Sequence, residues 1–301
     1  MNRRSAIRNL TAAGLAPFIN TLGASAAHVV MRTIPSSGEK LPAVGLGTWR
    51  TFDVGDQQEA LERRTQVLKV LVSTGGSVVD SSPMYGRSES VVGKLSSDLS
   101  LNDKLFIATK VWTSGETEGR EQMEKSFSLL RRQQLDLMQV HNLVDWKTHL
   151  PTLHRMKDEQ RIRYVGITHY LESAYDQLES IMRNESIDFL AVNYSAGSRE
   201  AERRLLPLAG DKGIAVIINR PFEEGALFNR VAGRKLPVWA DTIHCYSWAQ
   251  LFLKYILSNP AVTCVIPGTT NPSHMQENIN AADGIFPDAQ MRAEIIKLLA
   301  A

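Results

Sequence analysis

The sequence predicts an α/β protein built as a single (β/α)8 TIM barrel, with a β-hairpin before it and an extra helix after it. Three observations carry that expectation. Eight short apolar runs recur with longer amphipathic stretches between them, the alternation of strand and helix that builds a parallel sheet. Each run is nearly continuous in apolar residues instead of alternating, as in strands covered on both faces. No composition shift or long linker divides the 301 residues, and barrels of about 250 residues commonly form one domain. A doubly wound sheet is the competing arrangement, but no G-x-G-x-x-G turn follows the first strand to support it.

The elements follow in order. "MNRRSAIRNLTAAGLAPFINTLGASAA" (1–27) pairs Arg3 with Arg4, runs through a mildly apolar stretch and reaches Ala24-Ser25-Ala26, an A-x-A site. That is the pattern of a bacterial twin-arginine export signal; a frayed basic tail is the alternative. Gly14, Pro17, Asn20 and Gly23 keep the stretch weakly hydrophobic, which suits a route that carries folded cargo. The expectation is a signal over 1–26, a mature body over 27–301, and delivery to the periplasm by the twin-arginine machinery, with a cytoplasmic location as the alternative. A hairpin turning at Ser36-Ser37-Gly38 comes next. Barrel strands are expected at 43–47, 77–80, 105–111, 135–141, 164–169, 189–195, 215–219 and 262–266. Helices are expected at 59–74, 120–133 and 248–257 among others, and "DAQMRAEIIKLLA" (288–300) closes the chain.

Composition narrows the function classes. At 43% hydrophobic and 22% charged, a chain of this length buries a large core without disulfides or metals. The formal charge of +2 originates at the start, where Arg3, Arg4 and Arg8 are the only charged residues before Arg32. The rest is near neutral, with no basic stripe for nucleic acid. No later apolar run reaches the roughly 20 residues of a membrane span. Cys245 and Cys264 make no disulfide framework and no C-x-x-C pair, so buried free thiols are expected.

In such barrels the reacting groups sit at the C-terminal ends of the strands. Reading those ends gives Thr48 and Trp49 after the first, Asp80 on the second, Lys110 on the third and His141 on the fourth. His169 ends the fifth, Asn193 the sixth, and Asn219 and Arg220 follow the seventh. Singly, such residues are caps, solvated cations or satisfied core histidines. Together they converge, because the barrel sets adjacent strand ends side by side. Tyr85 joins them from the turn after Asp80, in the stretch from Val78 to Gly93, which begins as strand and ends as helix.

The chain resembles the aldo/keto reductase superfamily. The motifs that carry the resemblance are "GLGTW" (45–49), "D-S-S-P-M-Y-G-R-S-E" (80–89), "IATKVW" (107–112) and "MQVHN" (138–142), followed by "VGITH" (165–169) and "IPGTTNPSHMQEN" (266–278). It covers the chain from about residue 30 to the end. The resemblance implies a catalytic tetrad of Asp80, Tyr85, Lys110 and His141 that reduces a small aldehyde or ketone, or runs the reverse reaction, with a nicotinamide cofactor. Tyr85 would supply the proton; a free phenol titrates near 10, and a Lys110 ammonium beside it is expected to lower that value. Asp80 would hold Lys110 charged, and His141 would orient and polarise the carbonyl. Trp49 and Trp112 would wall the substrate pocket.

The cofactor positions depart from the family pattern. Thr168 and His169 replace a Ser-Asn pair, Ala191 replaces a Gln, and Asn219 with Arg220 stands where an aromatic residue commonly stacks on the nicotinamide. Gly268 and His274 replace the Lys and Arg that hold the 2′-phosphate of NADP, while Glu277 and Asn278 on the adenine side remain. Thr48 and Thr269 complete the expected cofactor contacts. NADP(H) is expected ahead of NAD(H), held through other groups such as Arg220; a shift to NADH and a lost cofactor are the other readings. No metal is expected. A non-catalytic barrel that binds a ligand or partner is the alternative function. A metal-dependent hydrolase using His141, His169 and Asp80 is the third, and Lys110 counts against it.

Overall fold

An antiparallel hairpin opens the described chain, which spans residues 29–300 of a computed structural model. Strand β1 (Met31–Thr33) pairs with β2 (Lys40–Pro42), Met31 opposite Pro42, across the turn expected at residues 36–38. The hairpin plugs the barrel floor: Ile34 and Leu41 join Val78, Phe106, Tyr164 and Phe189 in one buried cluster inside the sheet. The expected export signal at 1–26 lies outside the described residues.

Eight parallel strands then form the barrel. They are β3 (Leu46–Gly47), β4 (Val78–Asp80), β5 (Phe106–Val111), β6 (Leu135–His141), β7 (Ile162–His169), β8 (Phe189–Asn193), β9 (Ala215–Asn219) and β10 (Cys264–Val265), each paired with the next. A parallel bridge from Val44 to Val265 brings the last strand back beside the first. Between them run α1 (Gln58–Ser73), α2 (Ser88–Asp98), α3 (Glu116–Leu130), α4 (Trp146–Asp158), α5 (Tyr175–Asn184), the pair α6 (Glu200–Arg203) and α7 (Leu205–Lys212), and the pair α8 (Ala226–Arg230) and α9 (Trp248–Leu257). After β10 come α10 (Pro272–Asn280) and the closing α11 (Ala289–Ala300).

The apolar strands explain the layering. Every residue of β4, β5 and β8 is buried, one set facing the barrel interior and the other the helices. The first and last strands are shorter than the sequence suggests. Before β10, Thr263 Oγ1 accepts the Val216 amide at 3.0 Å, so a side chain stands where a ladder carbonyl would. Cys245 and Cys264 are buried free thiols.

Candidate active site

Strand register builds the site. Asp80 stands opposite Ala108 in the β4–β5 pairing, so Lys110 lies two residues further up on the same face. Lys110 in turn stands opposite Gln139, which puts His141 another two residues up on β6. The three side chains therefore climb inside the barrel mouth.

Lys110 folds back onto the acid. Its Nζ donates to Asp80 Oδ2 at 2.7 Å and to the Ser81 carbonyl at 2.6 Å, and both side chains are almost wholly buried. Gln139 Nε2 donates to the other carboxylate oxygen at 3.2 Å. Burying an ion pair costs several kcal/mol of desolvation per ion and holds only where hydrogen bonds satisfy the charges, as here. Burial pulls the Lys110 ammonium down, but the proximity of Asp80 and Tyr85 outweighs it and the net direction is upward. Lys110 is charged.

Tyr85 reaches the pair from a tight turn. Its amide donates to the Ser82 carbonyl at 3.0 Å, and its own carbonyl accepts from Ser88 at 3.1 Å. Gly86 follows at φ 59°, a left-handed conformation, with the Asp53 carboxyl pressed where a side chain would stand; any other residue would take a strained backbone and push Asp53 aside. Asp53 also accepts the Arg87 amide at 3.0 Å, so the loop after β3 braces the turn. The half-buried phenol faces Lys110, whose Nζ lies 5.1 Å from the ring centroid. Burial pushes the Tyr85 phenol up, Lys110 pulls it down and Asp80 pushes it up again. The net direction is upward, which corrects the expectation that the lysine would leave it lowered.

His141 completes the group, edge-on to Tyr85 with ring centroids 5.7 Å apart at 83°. Its Nδ1 lies 2.9 Å from Ser82 Oγ. Burial, then Lys110 and His169, pull its pKa down to about 2, so the ring is neutral. Trp112 lies 6.4 Å from it, centroid to centroid, with 42% of its surface exposed. Its backbone is held by Gln122, which accepts from the Trp112 amide at 2.5 Å and donates to its carbonyl at 3.1 Å.

These four residues sit on a barrel whose sequence matches the aldo/keto reductase family over residues 43–297. The chain belongs to that family. It is an oxidoreductase. Among individual proteins, aldo-keto reductase YhdN of Bacillus subtilis is 24% identical over 66% of this chain and 64% of its own length, just under two thirds of that protein. An NADH-specific methylglyoxal reductase of Escherichia coli is 23% identical over 86% of this chain and 96% of its own. An aldo/keto reductase of Klebsiella pneumoniae, solved with NADP and acetate, superposes with a TM-score of 0.76 at 22% identity, covering 90% of this chain and 96% of that one.

The remaining site residues of the reductase fall into three places. Thr48 is buried, its hydroxyl donating to the Asp80 carbonyl at 2.9 Å and to Ser81 Oγ at 3.0 Å, so it fastens β3 to β4. Trp49, half-buried, lies under the Arg50 guanidinium at 4.1 Å. At the end of β7, Thr168 is buried and His169 half-buried. The His169 Nδ1 accepts the Leu171 amide at 3.1 Å, leaving its neutral ring the proton on Nε2. Burial lowers its pKa. Asn193, by contrast, is turned away into the β8 loop, bonded to Tyr175 and Ser198.

The cofactor-side residues cluster around the end of β10. Gly268 is exposed, packed on the β3 turn so that a Cβ there would meet the Gly47 carbonyl at 3.1 Å. Thr269 is buried and accepts the Asn271 amide at 3.1 Å. On α10, His274 is exposed, Glu277 half-buried and Asn278 buried. Across from them at the end of β9, Asn219 Oδ1 is buried with no hydrogen-bond partner among the described residues. An orphaned amide oxygen, the free Nε2–H of His169 and the Arg220 guanidinium make a donor and acceptor set that fits the amide and phosphates of a nicotinamide dinucleotide. Among the described residues no three of His, Cys, Asp and Glu gather as a metal-ligand set.

Sequence reasoning missed Ser82, which bonds His141, and Gln139, which bonds Asp80. Ser82 was within reach, since it lies two residues after Asp80 and points to the same side of an extended chain.

Proposed function

We propose that this reductase transfers hydride between a nicotinamide cofactor, NADP(H) ahead of NAD(H), and a small aldehyde or ketone, with Tyr85 as proton donor. The observation that carries the reading is the Asp80–Lys110 ion pair set against the Tyr85 ring with a neutral His141 beside it. The relatives act on or bind matching chemistry: one is named a methylglyoxal reductase specific for NADH, and another is solved with NADP.

A bound nicotinamide supplies the hydride. The carbonyl oxygen then gains negative charge and needs a proton. Tyr85 keeps its proton at neutral pH, since a free phenol titrates near 10 and burial pushes this one up further, so it enters the reaction in the donating form. As the proton leaves, the Lys110 ammonium stabilises the phenolate, and a charge held in place beforehand needs no reorganisation. Asp80 and the Ser81 carbonyl fix that ammonium. His141 stays neutral and positions the carbonyl oxygen through the nitrogen that Ser82 does not occupy. Trp49 and Trp112 flank the approach as apolar walls. Thr48, Thr168, His169, Asn219, Arg220, Gly268, Thr269, His274, Glu277 and Asn278 are the residues we assign to the cofactor.

The test separates binding from chemistry. Tyr85→Phe is expected to bind NADPH or NADH as the parent does, read by nucleotide fluorescence, while carbonyl reduction falls by at least ~100-fold, at the scale of a lost proton donor. Turnover retained in that variant removes Tyr85 from the role. If the parent binds neither nucleotide, the non-catalytic reading replaces this one.

We also propose that residues 1–26 are a twin-arginine signal that delivers the 27–301 body, folded around its cofactor, to the periplasm. The paired Arg3 and Arg4 and the A-x-A site support it. Replacing both arginines by lysine is expected to leave the precursor in the cytoplasm; normal export of that variant rules the route out.

A further inference from the structure

Trp112 stands just beyond the sheet. The β5 ladder ends with Val111 opposite Val140, so the Trp112 backbone has no paired strand residue beside it. One side chain supplies both missing partners. Gln122, ten residues further along in α3, accepts the Trp112 amide through Oε1 at 2.5 Å and donates through Nε2 to the Trp112 carbonyl at 3.1 Å. A carboxamide carries a donor and an acceptor side by side, as a neighbouring strand does. Gln122 therefore extends the ladder with a side chain.

The residues that follow are held from the start of α4. His149 is buried and donates through Nε2 to the Thr113 carbonyl at 2.7 Å. Asp145 accepts the Gly115 amide at 2.8 Å and the Thr148 hydroxyl at 2.8 Å. Asn142, Leu143 and Asp145 take φ values of 50°, 56° and 47°, left-handed conformations disfavoured for residues other than glycine. Such strain persists where surrounding contacts impose it, and this strained loop leads straight out of His141. The loops after β5 and β6 are thus braced against each other. Of these braces, Gln122 is the one that bears on Trp112 itself. The indole is exposed and meets His141 at a tilt, with 6.4 Å between centroids and 58° between ring planes, so its place depends on how its backbone is held.

We propose that Gln122 is a specificity-determining positioning residue. It seats the Trp112 indole beside His141, so that the pocket favours carbonyl compounds bearing a flat ring over short aliphatic ones. This rests on the carbonyl reduction of the proposed function and names the substrate class that its pocket wall selects. Groups in a site keep their geometry where hydrogen-bonded neighbours lock them. A ring that finds the indole already in place gains its contact without the cost of ordering it. A short chain covers too little of the indole to gain from the seat.

Two variants of the full-length protein test the assignment. Gln122→Met keeps the side chain's length and removes both bonds; Gln122→Glu keeps the acceptor and loses the donor. With benzaldehyde, Gln122→Met is expected to raise KM at least ~threefold at little changed kcat, the scale of one aromatic contact, and Gln122→Glu to fall between it and the parent. With propanal, KM and kcat should stay within about twofold of the parent in both variants, because a short chain buries little area on the indole. Fluorine NMR of protein carrying fluorotryptophan reads the seat without turnover. The Trp112 signal, identified by its loss in Trp112→Phe, is expected to shift and narrow in Gln122→Met while the other tryptophan signals stay. An unmoved Trp112 signal overturns the proposal. So does a benzaldehyde KM left unchanged, a propanal KM that rises equally, or a parent that favours propanal. Failure of the reductase reading looks different: the parent would bind neither nicotinamide nucleotide and reduce neither aldehyde. The substrate preference would then fall with it, and the Trp112 signal would still decide whether Gln122 seats the wall.

Discussion

His141 shows how a residue's surroundings set its chemistry and leave a measurable trace. Unfolded, an imidazole takes up a proton below about pH 6.5; in the folded site, burial and the Lys110 charge hold it off until about 2. The unfolded chain therefore binds more protons across that window, and stability present above pH 6.5 is lost as the pH falls. One proton changes the unfolding free energy by about 1.4 kcal/mol per pH unit, or about 2 kcal/mol between pH 7.5 and 5. His141→Asn removes that contribution, so its urea-unfolding free energy should fall less steeply with acid than the parent's. Parallel pH profiles would show that the ring is not held neutral. Asp80, Lys110 and His141 were legible in the sequence because strand ends and register are periodic properties. The net rise of the Tyr85 pKa was not, because it depends on how burial balances a cation 5.1 Å from the ring. An ion pair such as that of Arg50 with Glu224 was not legible either, since 174 residues separate its partners.

Among the elements, α2 connects the proton donor to the packed outer layer. The turn carrying Tyr85 passes directly into this helix, so its seating sets where the phenol can stand. Gly93 lies at its crossing with α3, where a Cβ would fall well inside van der Waals contact of the Leu129 carbonyl and the Leu130 backbone. One turn earlier, Glu89 is buried in the first turn of α2 and accepts the Thr109 hydroxyl at 2.5 Å. Thr109 precedes Lys110 on β5, so this bond ties the helix after Tyr85 to the strand that carries its partner. Burial pushes the Glu89 carboxyl up. Backbone atoms cannot swing aside as side chains do, so Gly93→Ala must separate the two helices. Overpacking of this kind costs about 1–3 kcal/mol, a fall of several degrees in Tm for a domain of this size. Calorimetry checks the stability, and kcat for carbonyl reduction is expected to fall with it because the Tyr85 turn moves. An unchanged Tm would show that α2 has slack. The sequence showed the helix but not this crossing, which depends on how two amphipathic faces meet.

At the scale of the whole molecule, the barrel is closed by its weakest pairing, and the residues proposed for the cofactor after β3 and β10 sit on top of that seam. Strands β3 and β10 contribute two ladder residues each. Their junction is the Val44–Val265 bridge with backbone bonds from Gly45 to Val265, from Val265 to Ala43 and from Gly47 to Pro267. Opposite them, β5, β6 and β7 span six to eight residues with long registers. The apolar runs announced eight strands but not the short pairing at the closure, where Gly45 and Gly47 supply no packing side chain. Local opening is easiest where few backbone bonds and few buried contacts must break together. The amides of Gly45, Gly47 and Val265 should therefore exchange with solvent before those of Met138 and Val140 at the centre of β6. Thr48 follows β3, and Gly268 and Thr269 follow β10, so saturating NADPH should slow the seam amides most and leave β6 unchanged. Hydrogen exchange followed by mass spectrometry, with and without nucleotide, reads both effects. Uniform exchange around the barrel would show that the seam is no weaker than the rest, and protection by NADPH confined to α10 would place the nucleotide's hold there instead of across the closure.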